Sequence, residues 1–228
     1  TRPVRATAHF VAGAEQFWRS PKLPQIGLVE NPAKRRLRIG LVTESLTGQP
    51  CTQTLAIIER VASLLEEMGH CVEPLMDRPV KTTFVDDFLD YWAFLAYMTG
   101  LLGKRKFGKQ FDPEKLDGFT RGLARRFRSR GWRLPLALYR LKATQQLYVS
   151  GTKGLDAVLT PVLGHVTPQL GYISPSIPFE QMIERLLKYA AFTPINNANG
   201  TPAIALPVGL SSEGMPIGIQ LSSAIGQE

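Results

Sequence analysis

Leu37-Arg38-Ile39-Gly40-Leu41-Val42 and, further along, His70-Cys71-Val72-Glu73-Pro74-Leu75 are two short, mostly apolar runs that read as strands. Between them lies a polar, proline-containing turn, Thr43 to Pro50, and then a helical pattern from about Thr52 to Met68. Leu55, Ile58, Ala62, Leu65 and Met68 recur at helical spacing, with Ile57, Val61 and Leu64 beside them, and Gly69 stands where a helix C-cap is expected. Strand, helix and strand of these lengths make a βαβ unit. A parallel pairing with a right-handed crossover follows, and with it an α/β fold class.

Working outward, Thr83 to about Leu102 carries a second helical pattern, with Phe84, Phe88, Tyr91, Trp92, Leu95 and Met98 on one stripe. Thr83 and Asp86 have the spacing of a capping box, and Asp86, Asp87 and Asp90 exclude a membrane span. Helical patterns continue around Glu114 to Arg128 and from Pro135 to about Tyr148. Asp156 to Pro161 reads as a strand ended by proline, residues 164–178 as a Gly-, Pro- and Ser-rich surface loop, and Phe179 to Ala191 as a helix. Ala203 to Val208 and Ile217 to Leu221 read as strands joined by the turn Ser211-Ser212-Glu213-Gly214. No internal repeat or low-complexity linker divides the chain.

The 228 residues are 44% hydrophobic, with 20 Gly and 17 Pro, the composition of a globular protein that is neither collagenous nor disordered. A chain of this length buries about 70% of the surface its unfolded form exposes. The net charge of +8 is uneven: residues 104–142 hold 13 Lys or Arg against 3 Asp or Glu, a local excess of +10. Cys51 and Cys71 flank the first helix, which at about 1.5 Å per residue would hold them ~27 Å apart. A disulfide needs Cα atoms within about 7 Å, so both are expected as free thiols, and a reducing cytoplasm is the expected compartment. The three histidines, His9, His70 and His165, are scattered, and neither CxxC nor HExxH occurs, so neither a metal nor another cofactor is expected. The chain opens at Thr1 and carries no recognisable signal or transit peptide at that end, which reads as a piece of something longer.

Most local motifs fail on spacing. There is no GxSxG nucleophile elbow. Gly100-Leu101-Leu102-Gly103-Lys104-Arg105 has two residues between its glycines where a phosphate loop has four, and reads as a helix end. Ser211-Ser212 lies in a turn, where hydroxyls cap backbone groups. In the basic segment, Lys104, Arg105, Lys106 and Lys109 and then Arg121 to Arg133 alternate with Phe107, Phe111, Phe119, Phe127 and Trp132. That combination could track phosphates and stack bases, or rest on an anionic membrane. The preferred reading is structural: Phe119, Leu123 and Phe127 form an apolar helix face and the arginines coat its solvated side.

The last forty residues carry a longer and more unusual pattern. Phe192-Thr193-Pro194-Ile195-Asn196-Asn197-Ala198-Asn199-Gly200-Thr201-Pro202-Ala203, the strand that follows, and Gly214-Met215-Pro216-Ile217-Gly218-Ile219-Gln220-Leu221 resemble the C-terminal half of the amidase signature family. Arg2-Pro3-Val4-Arg5, the βαβ piece and Asp156 to Pro161 fall in the matching order, so the resemblance spans nearly the whole chain. It implies a single α/β domain over 1–228 with a mixed β-sheet flanked by helices, in which 83–150 forms a helical, basic lid or insert. It further implies hydrolysis of a carboxamide C–N bond by a serine nucleophile, a bridging serine and a lysine base, with backbone amides as oxyanion donors.

No Gly-Gly-Ser-Ser run occurs here, and Lys22, Lys34 and Lys81 have no matching context. No catalytic residue is therefore assigned, and the chain alone is expected to be inactive. The residues that carry over are pocket or scaffold candidates: Thr193, Asn197, Gly200 and Gln220, with Asn197 and Gln220 expected to tie loops to the sheet. The amidase-like subunit of the glutamine-dependent tRNA amidotransferases usually has an acid where Ala190 stands here, so the resemblance implies a neutral or apolar small-molecule amide. A homodimer is left open as the assembly. The alternative is a non-catalytic scaffold or interaction module that binds nucleic acid or an anionic surface through residues 104–142.

Overall fold

The computed structural model describes residues 4–31, 34–75 and 80–227; Arg2 and Pro3, and the two chain ends Thr1 and Glu228, lie outside them. Five strands form one mixed sheet in the order β2-β1-β3-β5-β4. They are β1 (Arg38–Leu41), β2 (Cys71–Pro74), β3 (Ala157–Pro161), β4 (Ala203–Leu210) and β5 (Pro216–Ser222). β1 pairs in parallel with β2 and with β3, whereas β5 runs antiparallel to β3 and to β4. The parallel βαβ unit and the terminal hairpin expected from the sequence are thus both present. β4 is the outermost strand, where Pro207 breaks no inner ladder, and its register shifts between Pro207 and Gly209.

The helices are α1 (Val4–Phe17), α2 (Thr52–Glu67), α3 (Phe84–Phe107), α4 (Gly118–Arg130), α5 (Leu134–Gly151), α6 (Phe179–Tyr189) and α7 (Pro194–Asn199). Among the described residues no helix is long and apolar enough to cross a membrane. α2 ends as its sequence predicts: Gly69 takes φ +90°, and the amides of Gly69 and His70 donate to the carbonyls of Glu66 and Leu65. Its apolar face covers the sheet, where Ile58 and Ala62 pack on Ile39, Leu159 and Ile219. Leu64 and Met68, on the opposite side, stay exposed. Cys51 and Cys71 are free.

Three local expectations need correction. Thr83 makes no side-chain cap to α3, because its own backbone is already helical. The helix expected from Glu114 begins at Gly118 instead, because Asp117 caps it, accepting from the Thr120 amide at 2.9 Å, while Pro113–Lys115 forms a separate 3₁₀ turn. The third correction concerns the arginines. Phe119, Leu123 and Phe127 do pack inward against Ala93, Ala96 and Met182, but several arginines turn back onto α3 instead of facing water.

Asp90, only 4% exposed, accepts from Arg126 Nε at 3.2 Å and Arg133 Nε at 2.9 Å, with Arg130 3.8 Å away. Arg126 also reaches Asp86, and Arg140 stands 3.6 Å from the buried Asp87. Burial raises the Asp87 carboxyl above the usual carboxylate range, and Arg140 offsets this only in part. The folded state then keeps a proton that the unfolded chain has already released near pH 4, so the contribution of Asp87 to stability falls as pH rises through that window, against the opposite contributions of Glu15, Asp117, Asp156 and Glu184, whose carboxyls are lowered. Asp87→Asn is expected to remove that contribution, so the stability difference between the two proteins in urea melts should shift in favour of the variant as pH rises from about 4 to about 6.

Candidate functional site

β1 and β3 are parallel neighbours, and the crevice beyond their carboxyl ends is where open α/β sheets bind ligands. The segment leaving β1, with Leu46 from its turn and Ile195 from α7, borders two adjoining spaces, whereas the segment leaving β3 turns to a third. The smaller, about 40 Å³, lies between Val42, Glu44, Thr160, Tyr148 and Ser222. The larger, about 470 Å³, extends between α3, α6 and the segment 190–197. Thr47 fixes one rim by donating to the Leu187 carbonyl at 2.8 Å. A third space of about 230 Å³ opens elsewhere, beside Thr54, His165 and Pro207, and touches none of the candidate residues.

Asp87, Asp90, Ala93, Ala96 and Gly103 of α3 are buried away from the large cavity, whereas Phe84 and Leu89, also buried, line it together with the half-buried Phe88, Tyr91 and Trp92. The rings form a ladder, with Phe84 and Phe88 centroids 5.8 Å apart and Phe88 and Trp92 centroids 6.2 Å apart. Ile183, Leu186, Leu187 and Ala190 supply the facing wall.

The four sequence candidates separate into two groups. Thr193 and Asn197 line the large cavity, and Asn197 is exposed to it. Gln220 is buried in the sheet, and Gly200 ends α7 in the left-handed conformation at φ +73°, its amide donating to the Asn196 carbonyl. The tie between loop and sheet expected of Asn197 is made by its neighbour. Asn196 accepts from Gln220 Nε2 at 2.9 Å and donates to Thr201 Oγ1 at 2.7 Å, and Thr201 donates onward to Asn199 at 2.6 Å. Tyr148 stands beside this network and bonds with Ser222 at 2.7 Å; burial raises its phenol above the ordinary value, which its polar neighbours Ser222 and Asn196 only partly oppose. The sequence pattern does not resolve α7 as a helix, so nothing in it tells which of two adjacent asparagines faces inward. Tyr148 is likewise a functional neighbour that the sequence does not single out, its only sign being a place on the inner stripe of α5.

The arrangement offers an apolar slot with hydroxyl and amide groups at one end, held on a polar network in which the Asn199 side-chain nitrogen lacks a partner, and no nucleophile–base pair among the described residues that line it. Among the described residues no three His, Cys, Asp or Glu side chains come together as a metal site. The family model for amidases matches residues 4–228. The Mycobacterium tuberculosis protein named "Putative amidase AmiC" is 42% identical over all 228 residues, which make up 48% of its own length. The Mycobacterium leprae protein of the same name is 41% identical over the same span. The chain thus spans about half the length of the curated relatives it matches. The structure of 6-aminohexanoate cyclic dimer hydrolase superposes with a TM-score of 0.76 at 23% identity, over 96% of this chain and 50% of that one, a likeness of fold. With a family match that runs through the β1–β2 unit, the cavity and the final hairpin alike, the chain belongs to the amidase family, the amidase signature enzymes.

Proposed function

We propose that this chain is the central and C-terminal part of a single-domain amidase signature hydrolase that, in complete form, cleaves a carboxamide C–N bond. The observation that carries the reading is the family match over residues 4–228, within which the signature residues Thr193 and Asn197 stand on the wall of the large cavity. The serine nucleophile attacks the amide carbonyl, the lysine takes its proton through the bridging serine, the amine leaves, and water releases the acid. These groups come from outside the 228 residues in this reading, since no Gly-Gly-Ser-Ser run is present. What the chain contributes is the slot, its polar end and the sheet that holds them.

Turnover of simple aryl amides, with covalent labelling of a serine, is expected from the polypeptide encoded by the full reading frame and not from residues 1–228 alone. Turnover by this chain alone would sink the missing-relay argument. A full reading frame that neither labels nor turns over would sink the hydrolase itself. The interaction-module reading receives less support, because Arg126, Arg130, Arg133 and Arg140 are engaged with α3 carboxylates and are not presented to phosphates.

A further inference from the structure

The ion pairs with the α3 aspartates account for arginines of α4, α5 and the turn between them, but not for the far end of α3. Its last turn carries Lys104, Arg105 and Lys106, and Lys109 follows just beyond the helix. All four are exposed, and none has an acidic partner among the described residues. Cations in a last turn suit the carbonyl end of a helix, which explains their place but not their company. Leu101 and Phe107, beside them, are 61% and 59% exposed, and Leu102 is exposed as well. Gly108 ends the helix at φ +99°, its amide donating to the Lys104 carbonyl, and the chain doubles back so that the Phe111 ring occupies the space a Cβ on Gly103 would need. Phe107 and Phe111 lie with ring centroids 5.6 Å apart. The acids nearest in sequence are used locally or stand apart: Asp112 accepts from the Glu114 amide and Asp117 from the Thr120 amide, and Asp86, Asp87 and Asp90 lie at the opposite end of α3.

The mixture of unpaired cations and bare apolar side chains restricts what this end can meet. A dry contact with the remainder of the domain would strip water from four unpaired cations, which is strongly unfavourable. A second copy of a chain with net charge +8 brings like charge to it. Nucleic acid would engage the cations but would leave the aliphatic Leu101 and Leu102 without a role, since bases stack on aromatic rings. An anionic bilayer uses both kinds of group. Its headgroups meet the lysines and the arginine, while the leucines and Phe107 enter the boundary with the acyl chains and the lysine stems lie along it.

We propose that the end of α3, from Leu101 to Lys109, is a peripheral docking tip for an anionic lipid surface. The contact is superficial and reversible, because three apolar side chains supply little buried area and the rest of the attraction is electrostatic. It goes beyond the amidase reading and is measured without turnover.

The test is sedimentation of the polypeptide encoded by the full reading frame with vesicles of phosphatidylcholine containing about 30 mol% phosphatidylserine, and with phosphatidylcholine alone. Binding to the anionic vesicles should be at least about tenfold tighter and should weaken as salt rises from about 50 to about 500 mM. K104E/K106E should lower affinity for those vesicles at least about tenfold, with K104Q/K106Q giving a smaller loss of the same kind. L101S/F107S leaves the charge unchanged and should also weaken binding, by about tenfold. Equal partition to the two vesicles, no sedimentation at low salt, or binding that survives these substitutions would overturn the proposal. A mixed-sequence DNA duplex separates the other occupant: anionic vesicles that still retain the protein in its excess support the lipid surface. Displacement by DNA that L101S/F107S binds as tightly as the native protein would assign the cations to nucleic acid and overturn it.

Discussion

Replacing Asp90 by alanine is expected to cost about 3–5 kcal/mol of folding stability, the scale for breaking a buried ion pair by removal of one partner. The side chain is 4% exposed and receives the guanidinium groups of Arg126 and Arg133, with Arg130 close by. Those arginines are themselves only partly exposed, Arg126 least of all, so without Asp90 positive charge is left crowded against α3 with less water to screen it. Asp90→Asn keeps the shape and some hydrogen bonds and should cost less. Asp86→Ala should cost no more than about 1 kcal/mol, since that carboxylate is 55% exposed. Urea denaturation of the three variants provides the ranking; an Asp90→Ala midpoint equal to that of Asp86→Ala would show that the cluster is not a structural clamp.

Asn196→Ala should be the second costly change, at about 2–4 kcal/mol, and it should contrast with Asn197→Ala one residue on. Asn196 is buried and bonds at once with Gln220 and Thr201, so its loss strands the buried Gln220 amide and leaves a gap beneath α7. Asn197 is exposed, and truncating it should change stability by less than about 0.5 kcal/mol. Its effect should fall on ligand affinity instead, because it stands on the cavity wall. Thermal melts distinguish the two: the first variant loses stability and the second keeps it.

The parts of the fold legible in the sequence are those written in local periodicity. β1, α2 and β2 follow from two apolar runs around an amphipathic stretch closed by Gly69, and the β4–β5 hairpin from two runs around Ser211 to Gly214. What escapes depends on contacts between distant segments. Asp90 and Arg133 are 43 positions apart, and nothing local tells that the partners of the α3 aspartates lie in the basic segment. The stripe from Phe84 to Met98 announces a helix, but periodicity gives a face and not what the face meets; here it meets a cavity, while the smaller Ala93 and Ala96 take the packed side. Of the candidate site, the motif locates the right segment and leaves undecided which of its adjacent asparagines is structural.

α3 stands against its neighbours by one face and lines the slot by another, and the facing wall belongs to α6, which is seated separately through Met182 and through Phe179 lying close over Gly122. The residues that shape the slot from that side, Ile183, Leu186 and Ala190, take no part in the carboxylate–guanidinium cluster. Ile183 and Leu186 also pack on the apolar cluster that seats α6 against α3 and α4, whereas Ala190 is not part of it, so an exchange at Ala190 would reshape the slot with the least disturbance to how the helices are anchored.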